Sequence, residues 1–315
     1  MQFLTDLFIY LVFPGFLFVG FLGCLVAWFD RKLTARIHFR VGPPWYQTFA
    51  DILKLLGKET IVPRQATPLV FLAAPLCALA AAVYAASVIL AAYFRGALGL
   101  EFFSTSFSGD VFVVLYVLAI PSIAFIVGSY AAANPLASLG GSRETKLLMA
   151  YELPFLFVLA TSLVKAQGSL KLEDLIAFQQ QQGSFLLSPS GVIAFIVGIF
   201  CLQAKLAIVP FDIPEAETEI MGGTIIEYSG APLALIKLAR AILLVAAPAF
   251  LLTLFWTGAD FFGLLFLAKL ILLWVIIVLL KNVNPRVRVD QALRFFWGPV
   301  LGLAVLALWL AVSGY

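Results

Sequence analysis

An acidic segment with five carboxylates is the part of the sequence most able to do chemistry. Residues 205–240 read KLAIVPFDIPEAETEIMGGTIIEYSGAPLALIKLAR, and the carboxylates are Asp212, Glu215, Glu217, Glu219 and Glu227. Crowded carboxylates repel one another, so some should have raised pKa values and exchange protons near neutral pH. A solvated acidic loop is the alternative. Apolar stretches flank this segment, however, and charge beside lipid usually faces a protein interior or a water cavity, which favours a proton relay.

The geometry of this segment depends on Pro214, because proline is tolerated in the first turn of a helix. If a helix begins there, Glu215 and Glu219 share one face, since they are four residues apart. Asp212 would then lie just before the helix, near its cap. Glu217 would point away from Glu215 and Glu219, which makes it the weaker candidate for the relay.

Glu152 is a second candidate, because it lies in the nearly uniform apolar run LLMAYELPFLFVLATSL. A carboxylate within a membrane helix is by default a functional hypothesis. Pro154 follows it and is expected to loosen the helix nearby. The alternative interpretation is a glutamate at a helix end that reaches the membrane interface.

Two basic residues, Lys237 and Arg240, lie about one turn inside the apolar stretch that follows the acidic segment. They are predicted to pair with its carboxylates. They could also extend along the helix to the membrane surface, as long basic side chains do. The two interpretations are compatible, and both place the residues at the edge of a charged cavity.

These residues require a membrane scaffold. Of 315 residues, 63% are apolar and 12% are charged, against about 25% charged in soluble domains. About 20 apolar residues make one membrane-crossing helix. The sequence therefore predicts an all-α, polytopic membrane protein with a single domain over residues 1–315. About eight spans are predicted, at residues 7–29, 68–94, 111–133, 147–165, 189–210, 231–256, 259–281 and 295–313.

The basic residues predict the orientation of these spans, because cytoplasmic segments carry an excess of lysine and arginine. Four segments on one side, residues 30–67, 134–146, 205–230 and 281–294, hold 14 of the 20 basic residues, and the other side holds Arg95, Lys165 and Lys171. The four segments are therefore predicted to be cytoplasmic, and both termini outside. Within residues 30–67, apolar side chains at helical spacing predict a short amphipathic helix that lies against the membrane surface or under a partner. These side chains are Tyr46, Phe49, Ile52, Leu53 and Leu56.

Metal and nucleic-acid sites are not expected in this chain. Cys24, Cys77 and Cys201 all lie in apolar runs and form no C-x-x-C pair, and His38 is the only histidine. Iron–sulfur and haem sites need such ligands. A net charge of +3 gives no support for binding nucleic acid.

Four blocks together resemble the membrane "heel" subunit shared by respiratory complex I, the NADH-quinone oxidoreductase type, and group 4 membrane-bound nickel–iron hydrogenases. They are DRKLTARIHFRVGP with ADILKLLGKE, the pair Tyr151-Glu152, PFDIPEAETEIMGGTIIEYSG, and NPRVRVDQ at residues 284–291. The resemblance implies eight helices and a place beside the quinone cavity of complex I. It also implies that Asp30, Arg31 and Glu59 contact a partner.

The resemblance departs from the complex I pattern near the acidic segment. Lys205 stands where the pattern A-E-x-x-R-x-PFD has Glu, Ile208 replaces its Arg, and Arg240 stands where complex I tends to have Glu. These charge reversals favour the hydrogenase-type branch. Lys205 is therefore predicted to line the cavity together with Lys237 and Arg240.

The resemblance predicts a coupling subunit that has no cofactor of its own. A nickel–iron site and iron–sulfur clusters are expected in hydrogenase-like large and small subunits, or in their complex I counterparts. Antiporter-like subunits would be the other partners, in the cell (inner) membrane. The soluble arm would dock on Asp30, Arg31, Arg36, Arg40, Asp51 and Glu59. Redox turnover there would drive proton or sodium movement through the acidic segment and Glu152.

Three alternatives remain open. The chain could be the quinone-site subunit of a complex I-type enzyme. It could instead be a secondary transporter, since broken helices and membrane carboxylates occur there too, although no inverted repeat is visible in the sequence. It could also be a passive anchor whose acidic segment only holds a partner.

Overall fold

The structure, a computed structural model, describes residues 8, 10–98, 107–257 and 264–314, and these residues contain helices and no strand. Three 3-10 turns, Phe185–Leu187, Ile213–Glu215 and Gly223–Ile225, and a π-helical turn, Phe296–Val300, lie between or within the helices. The α-helices are α1 Phe16–Ile37, α2 Gln47–Leu56, α3 Pro68–Leu98, α4 Asp110–Val117, α5 Ile120–Ala131, α6 Pro135–Lys165, α7 Leu172–Gln182, α8 Pro189–Lys205, α9 Glu217–Ile220, α10 Gly230–Phe255, α11 Leu264–Val283, α12 Val289–Phe295 and α13 Leu301–Val312.

The polytopic all-α prediction is confirmed. Among the described residues, six helical stretches are long and apolar enough to cross a membrane, and α8 is apolar but has only 17 residues. Two of the six combine shorter elements: α4 joins α5, and α12 continues through the π-helical turn into α13. The first predicted span lies partly outside the described residues. The count of eight and the position of both termini stay predictions.

Several predicted loops are helical. The segment 134–146 is the first part of α6, residues 30–37 end α1, and only residues 284–288 separate α11 from α12. The apolar window that predicts a span ends where charged residues begin, whereas the helical backbone continues past that point. α6 also continues through Pro154, which cannot donate to the carbonyl of Ala150.

α10 lies at the centre of the bundle, where it packs against α3 and α1. Small residues permit close packing here. A Cβ atom on Gly23 of α1 would lie 2.5 Å from the carbonyl oxygen of Ala241, so only glycine fits this crossing. α6, α8 and α13 form a second group of helices that pack on one another. A cavity lined by charged side chains lies between these two groups of helices.

The four segments predicted to be cytoplasmic contact one another at one end of the bundle, which we call the basic side. Lys281 pairs with Asp30 at 2.9 Å, and the backbone N–H of Ile61 donates to Ser229 Oγ at 3.0 Å. The predicted amphipathic helix is confirmed as α2, which buries Ile52 and Leu55 against α1 and α10.

At the opposite end, Asp110 and Gln179 hold α7 to the bundle. Asp110 is fully buried, and its Oδ1 accepts a 2.8 Å hydrogen bond from the backbone N–H of Leu172, the first residue of α7. Gln179 Nε2 donates to the carbonyl of Thr253 at 2.9 Å, and its Oε1 accepts from the N–H of Thr257 at 3.0 Å.

Replacing Asp110 with alanine should therefore loosen α7. The N–H of Leu172 would lose its acceptor in a buried position, at a cost of about 1–3 kcal/mol. Thermal unfolding of the purified complex should show a lower midpoint for D110A. D110N keeps an acceptor oxygen and is the control; an equal loss in both variants would contradict the capping role.

Candidate functional site

A cavity of about 180 Å³ lies between α5, α6, α8 and α10, under the acidic segment. Four charged side chains line it, two acidic and two basic: Glu144, Glu215, Lys205 and Arg240. The rest of the wall is mostly apolar and includes Phe125, Leu243 and Leu244. Charges surrounded by apolar walls interact more strongly than they would in water, because fewer solvent dipoles screen them.

The first ion pair of the cavity joins the acidic segment to α10. Arg240 donates from its guanidinium to both carboxylate oxygens of Glu215, with Nη1 2.5 Å from Oε2. The guanidinium also lies 5.0 Å from the ring centroid of Phe125, and Thr224 Oγ1 donates to Glu215 at 3.3 Å. The prediction that Arg240 pairs with the acidic segment is thus confirmed.

The second ion pair joins α8 to α6. Lys205 Nζ donates to Glu152 Oε1 at 2.7 Å, and the Lys205 side chain is 1% exposed. Its ammonium lies 5.3 Å from the ring centroid of Tyr151 and 5.4 Å from that of Phe155. Lys205 is the last residue of α8, where the helix dipole favours a cation. The predicted cavity residue Lys205 and the predicted relay residue Glu152 therefore form one unit.

Glu144 is a cavity carboxylate that the sequence reasoning missed. It is 5% exposed, and its only described hydrogen bond is to Ser122 of α5. The span was predicted to begin at residue 147, which left Glu144 in a loop. With the helix beginning at Pro135, Glu144 and Tyr151 are seven residues apart and share a face, and this spacing could have identified it.

The acidic segment is not one helix, so Glu215 and Glu219 do not share a face as predicted. A 3-10 turn ends at Glu215, Ala216 is extended, and α9 begins at Glu217. Glu215 therefore enters the cavity. Glu219 instead pairs with Arg143 at the surface, at 2.5 Å, and its side chain is 53% exposed.

Asp212 precedes the 3-10 turn as predicted, but its side chain does not cap the turn. It pairs with Arg286 of the NPRVRVDQ block at 2.6 Å. Burial raises the pKa of Asp212 above its ordinary value, and the guanidinium of Arg286 opposes that shift. Together with Arg143 and Glu219, this pair lines a crevice of about 410 Å³ on the basic side.

Three other predicted residues lie outside the cavity. Glu227 accepts a short hydrogen bond from Asn134, the N-cap of α6, so it fixes the segment to that helix. Glu217 is exposed, and no described contact supports its role in the relay, which stays a prediction. Lys237 does not reach the acidic segment: it is exposed and faces Asp51 of α2.

The predicted docking residues divide into two groups. Asp30, Arg31 and Asp51 form ion pairs within the chain: Asp30 with Lys281, and Arg31 Nη1 with Asp51 at 3.0 Å. Burial would raise the pKa of Asp51, but hydrogen bonds from Arg31 and Gln47 outweigh it and lower the pKa. The other three, Arg36, Arg40 and Glu59, are exposed on the basic side and have no ion pair among the described residues, so they are free to meet a partner.

Gly230 positions the end of the acidic segment against the first basic-side loop. Its φ is +56°, and a Cβ atom there would lie 2.5 Å from the carbonyl oxygen of Glu59. Replacing Gly230 with alanine should cost about 1–3 kcal/mol through overpacking and lower the unfolding midpoint of the complex. Gly302→Ala is the control, because nothing lies within 4 Å of its added Cβ; equal midpoints in the two variants would contradict the close contact.

The fold and the site define a polytopic membrane subunit whose buried charges lie beside a charged crevice on one face. The chain matches the NADH dehydrogenase family over residues 9–312 and belongs to that family. Two relatives are H-type subunits of NADH-quinone oxidoreductases. That of Thermomicrobium roseum is 37% identical and covers 93% of this chain and 92% of its own length. That of Anoxybacillus flavithermus is 32% identical over 94% and 88%.

A solved structure is similar over nearly the whole chain. It belongs to the membrane-bound sulfane sulfur reductase, an archaeal respiratory membrane complex, and has a TM-score of 0.84 at 26% identity, covering 98% of this chain and 99% of that one. The chain is therefore a multi-span membrane subunit of a respiratory redox complex in the cell membrane. Its partners are the other subunits of that complex.

Proposed function

We propose that this chain couples redox turnover in a soluble catalytic arm to the movement of protons or sodium ions across the membrane. The observation that carries the proposal is the row of charges that runs inward from the basic side. It passes from Glu215 and Arg240, across the cavity, to Lys205 and Glu152. Buried charges are costly beside lipid and are typical of ion pathways.

The row connects two surfaces. At one end, Glu215 belongs to the same segment as Asp212 and Glu219, which line the basic-side crevice where a soluble arm would dock. At the other end, the Glu152 side chain is 21% exposed on α6, where it can meet an antiporter-like neighbour. A charge change at the crevice would reach Glu152 through the two ion pairs.

We further propose that the arm is of the hydrogenase type, with ferredoxin as electron donor, protons as acceptor, and nickel–iron and iron–sulfur centres in partner subunits. Lys205 and Arg240 support this choice, because each replaces an acidic residue of the quinone-type pattern. The structural neighbour supports only an acceptor other than quinone, since its name gives sulfane sulfur as the substrate. Purification of the complex should therefore yield a nickel–iron subunit; bound quinone without nickel would contradict the choice.

Quinone chemistry is the second candidate, because the sequence relatives are named for it and an apolar groove fits an isoprenoid tail. The groove, about 350 Å³, lies between α1, α2 and Leu238, and its wall includes Phe21, Phe49 and Leu53. Extraction of lipids from the purified complex tests this candidate. Quinone bound to the wild type but absent from a Leu53→Trp variant would favour it over the hydrogenase type.

A passive anchor can be separated from a relay by two single variants of the acidic segment. E219Q removes a surface ion pair, and E215Q removes a cavity ion pair. For a relay, we expect E215Q to lower the ions moved per electron more than E219Q does, with both complexes assembled. Loss of assembly in both variants, with the ion yield unchanged in the complexes that remain, would favour the anchor.

A further inference from the structure

The charges around the cavity do not balance. Three carboxylates, Glu144, Glu152 and Glu215, share two cations, Lys205 and Arg240. Arg240 is engaged by Glu215 and Lys205 by Glu152, so Glu144 has no ion-pair partner of its own among the described residues. An unpaired buried carboxylate is costly, and it avoids the cost by binding a proton.

Other ionisable groups near Glu144 do not supply the missing charge. α5 contributes Ser122, which hydrogen bonds to Glu144, and the apolar Phe125. On α6 itself, Arg143 is engaged by Glu219 at the surface. Tyr151 is fully buried and interacts with the same Ser122 hydroxyl as Glu144. Among the described residues, the charged groups that line the cavity with Glu144 are therefore Arg240, Lys205 and Glu215.

Lys205 lies where its ammonium can pair with either of two carboxylates, Glu152 or Glu144. The chain at Lys205, Leu206 and Ala207 forms part of the cavity wall that also carries Glu144. From that wall the side chain extends past the ring of Tyr151 to Glu152. The lysine stem is flexible, so a change of rotamer would withdraw the ammonium from Glu152 into the cavity.

We propose that Glu144 holds a proton in the resting state and that Lys205 moves from Glu152 to Glu144 when this proton leaves. The O–H bond of Glu144 breaks, its proton forms an O–H bond on the carboxylate of Glu152, and Lys205, released from Glu152, pairs with the carboxylate of Glu144. One proton leaves one carboxyl group and one joins the other, so the total charge is unchanged. The proposal rests on the coupling function and identifies its proton-carrying group.

Infrared spectroscopy of the purified complex tests the resting state without any measurement of ion movement. The wild type should show a protonated-carboxyl band that is lost in E144Q and kept in E219Q, whose target is an exposed surface carboxylate. K205M should add a second band, since Glu152 would lose its cation, and that band should vanish in K205M/E152Q. A wild-type band that survives in E144Q, or a K205M spectrum without a second band, would overturn the proposal.

Reduction with dithionite tests the movement. The difference spectrum should show the Glu144 band decreasing and a Glu152 band rising, and the pair should be absent from K205M but present in the exposed-lysine control K146M. If E144Q does not assemble, E144D should keep a shifted band. A reduced-minus-oxidised spectrum without the pair, or a pair that persists in K205M, would refute the role of Lys205, whatever the ion yield of the complex.

Discussion

Replacing Arg240 with methionine is expected both to destabilise the complex and to uncouple it. Glu215 would lose its cation while its side chain remains 18% exposed and next to apolar walls. The loss of a charged hydrogen bond costs about 1–3 kcal/mol. Glu144 would also lose one of its two neighbouring cations. Thermal unfolding and the ions moved per electron should therefore both fall.

A charge swap tests whether the effects of replacing Arg240 come from the lost ion pair or from the lost packing of the arginine side chain. The double variant E215R/R240E restores opposite charges across the same cavity, so it should recover part of the lost stability. It places the carboxylate on α10, and the relay through Glu215 should remain impaired. Full recovery of the ion yield by the swap would show that coupling does not need a carboxylate at position 215.

Glu152→Gln is expected to have the largest effect on coupling. Glutamine keeps a hydrogen-bond acceptor for Lys205 at 2.7 Å but cannot carry a proton, so assembly and redox turnover should persist. Proton transfer by a positioned side chain typically contributes about 10²–10⁴-fold to a rate. Ion movement should therefore fall by about that factor.

The consequence for turnover is measurable in sealed vesicles. In a coupled complex, turnover slows as the ion gradient builds up and recovers when an ionophore is added. E152Q should turn over at a rate that the ionophore no longer changes. Glu173→Gln is the control, because Glu173 pairs with Arg95 on the opposite side at 3.4 Å; an ionophore response that persists in E152Q would remove Glu152 from the pathway.

The sequence predicted the membrane scaffold well, because apolar stretches and basic residues depend on composition more than on detailed packing. It also identified Glu152, Glu215 and Arg240, since charges in or beside apolar runs are conspicuous. The same reasoning placed Lys205 in the cavity only through the family resemblance. The structure adds its partner, Glu152, from a helix 53 positions away in the chain.

The remaining errors have two physical causes: hydropathy reports neither where a helix ends nor which helices pack side by side. Glu144 was missed because α6 begins at Pro135, well before its apolar part. The predicted face shared by Glu215 and Glu219 failed because the backbone changes from a 3-10 turn to extended at Ala216. Lys237 turned toward Asp51 because α2 lies across that part of α10.

The number of ions moved per electron, measured in vesicles for the wild-type complex and for E152Q at matched assembly and turnover, tests the central claim most directly. The coupling role predicts a fixed yield in the wild type and almost none in E152Q. An unchanged yield in E152Q would show that ions cross elsewhere in the complex and that the charges of this chain are structural.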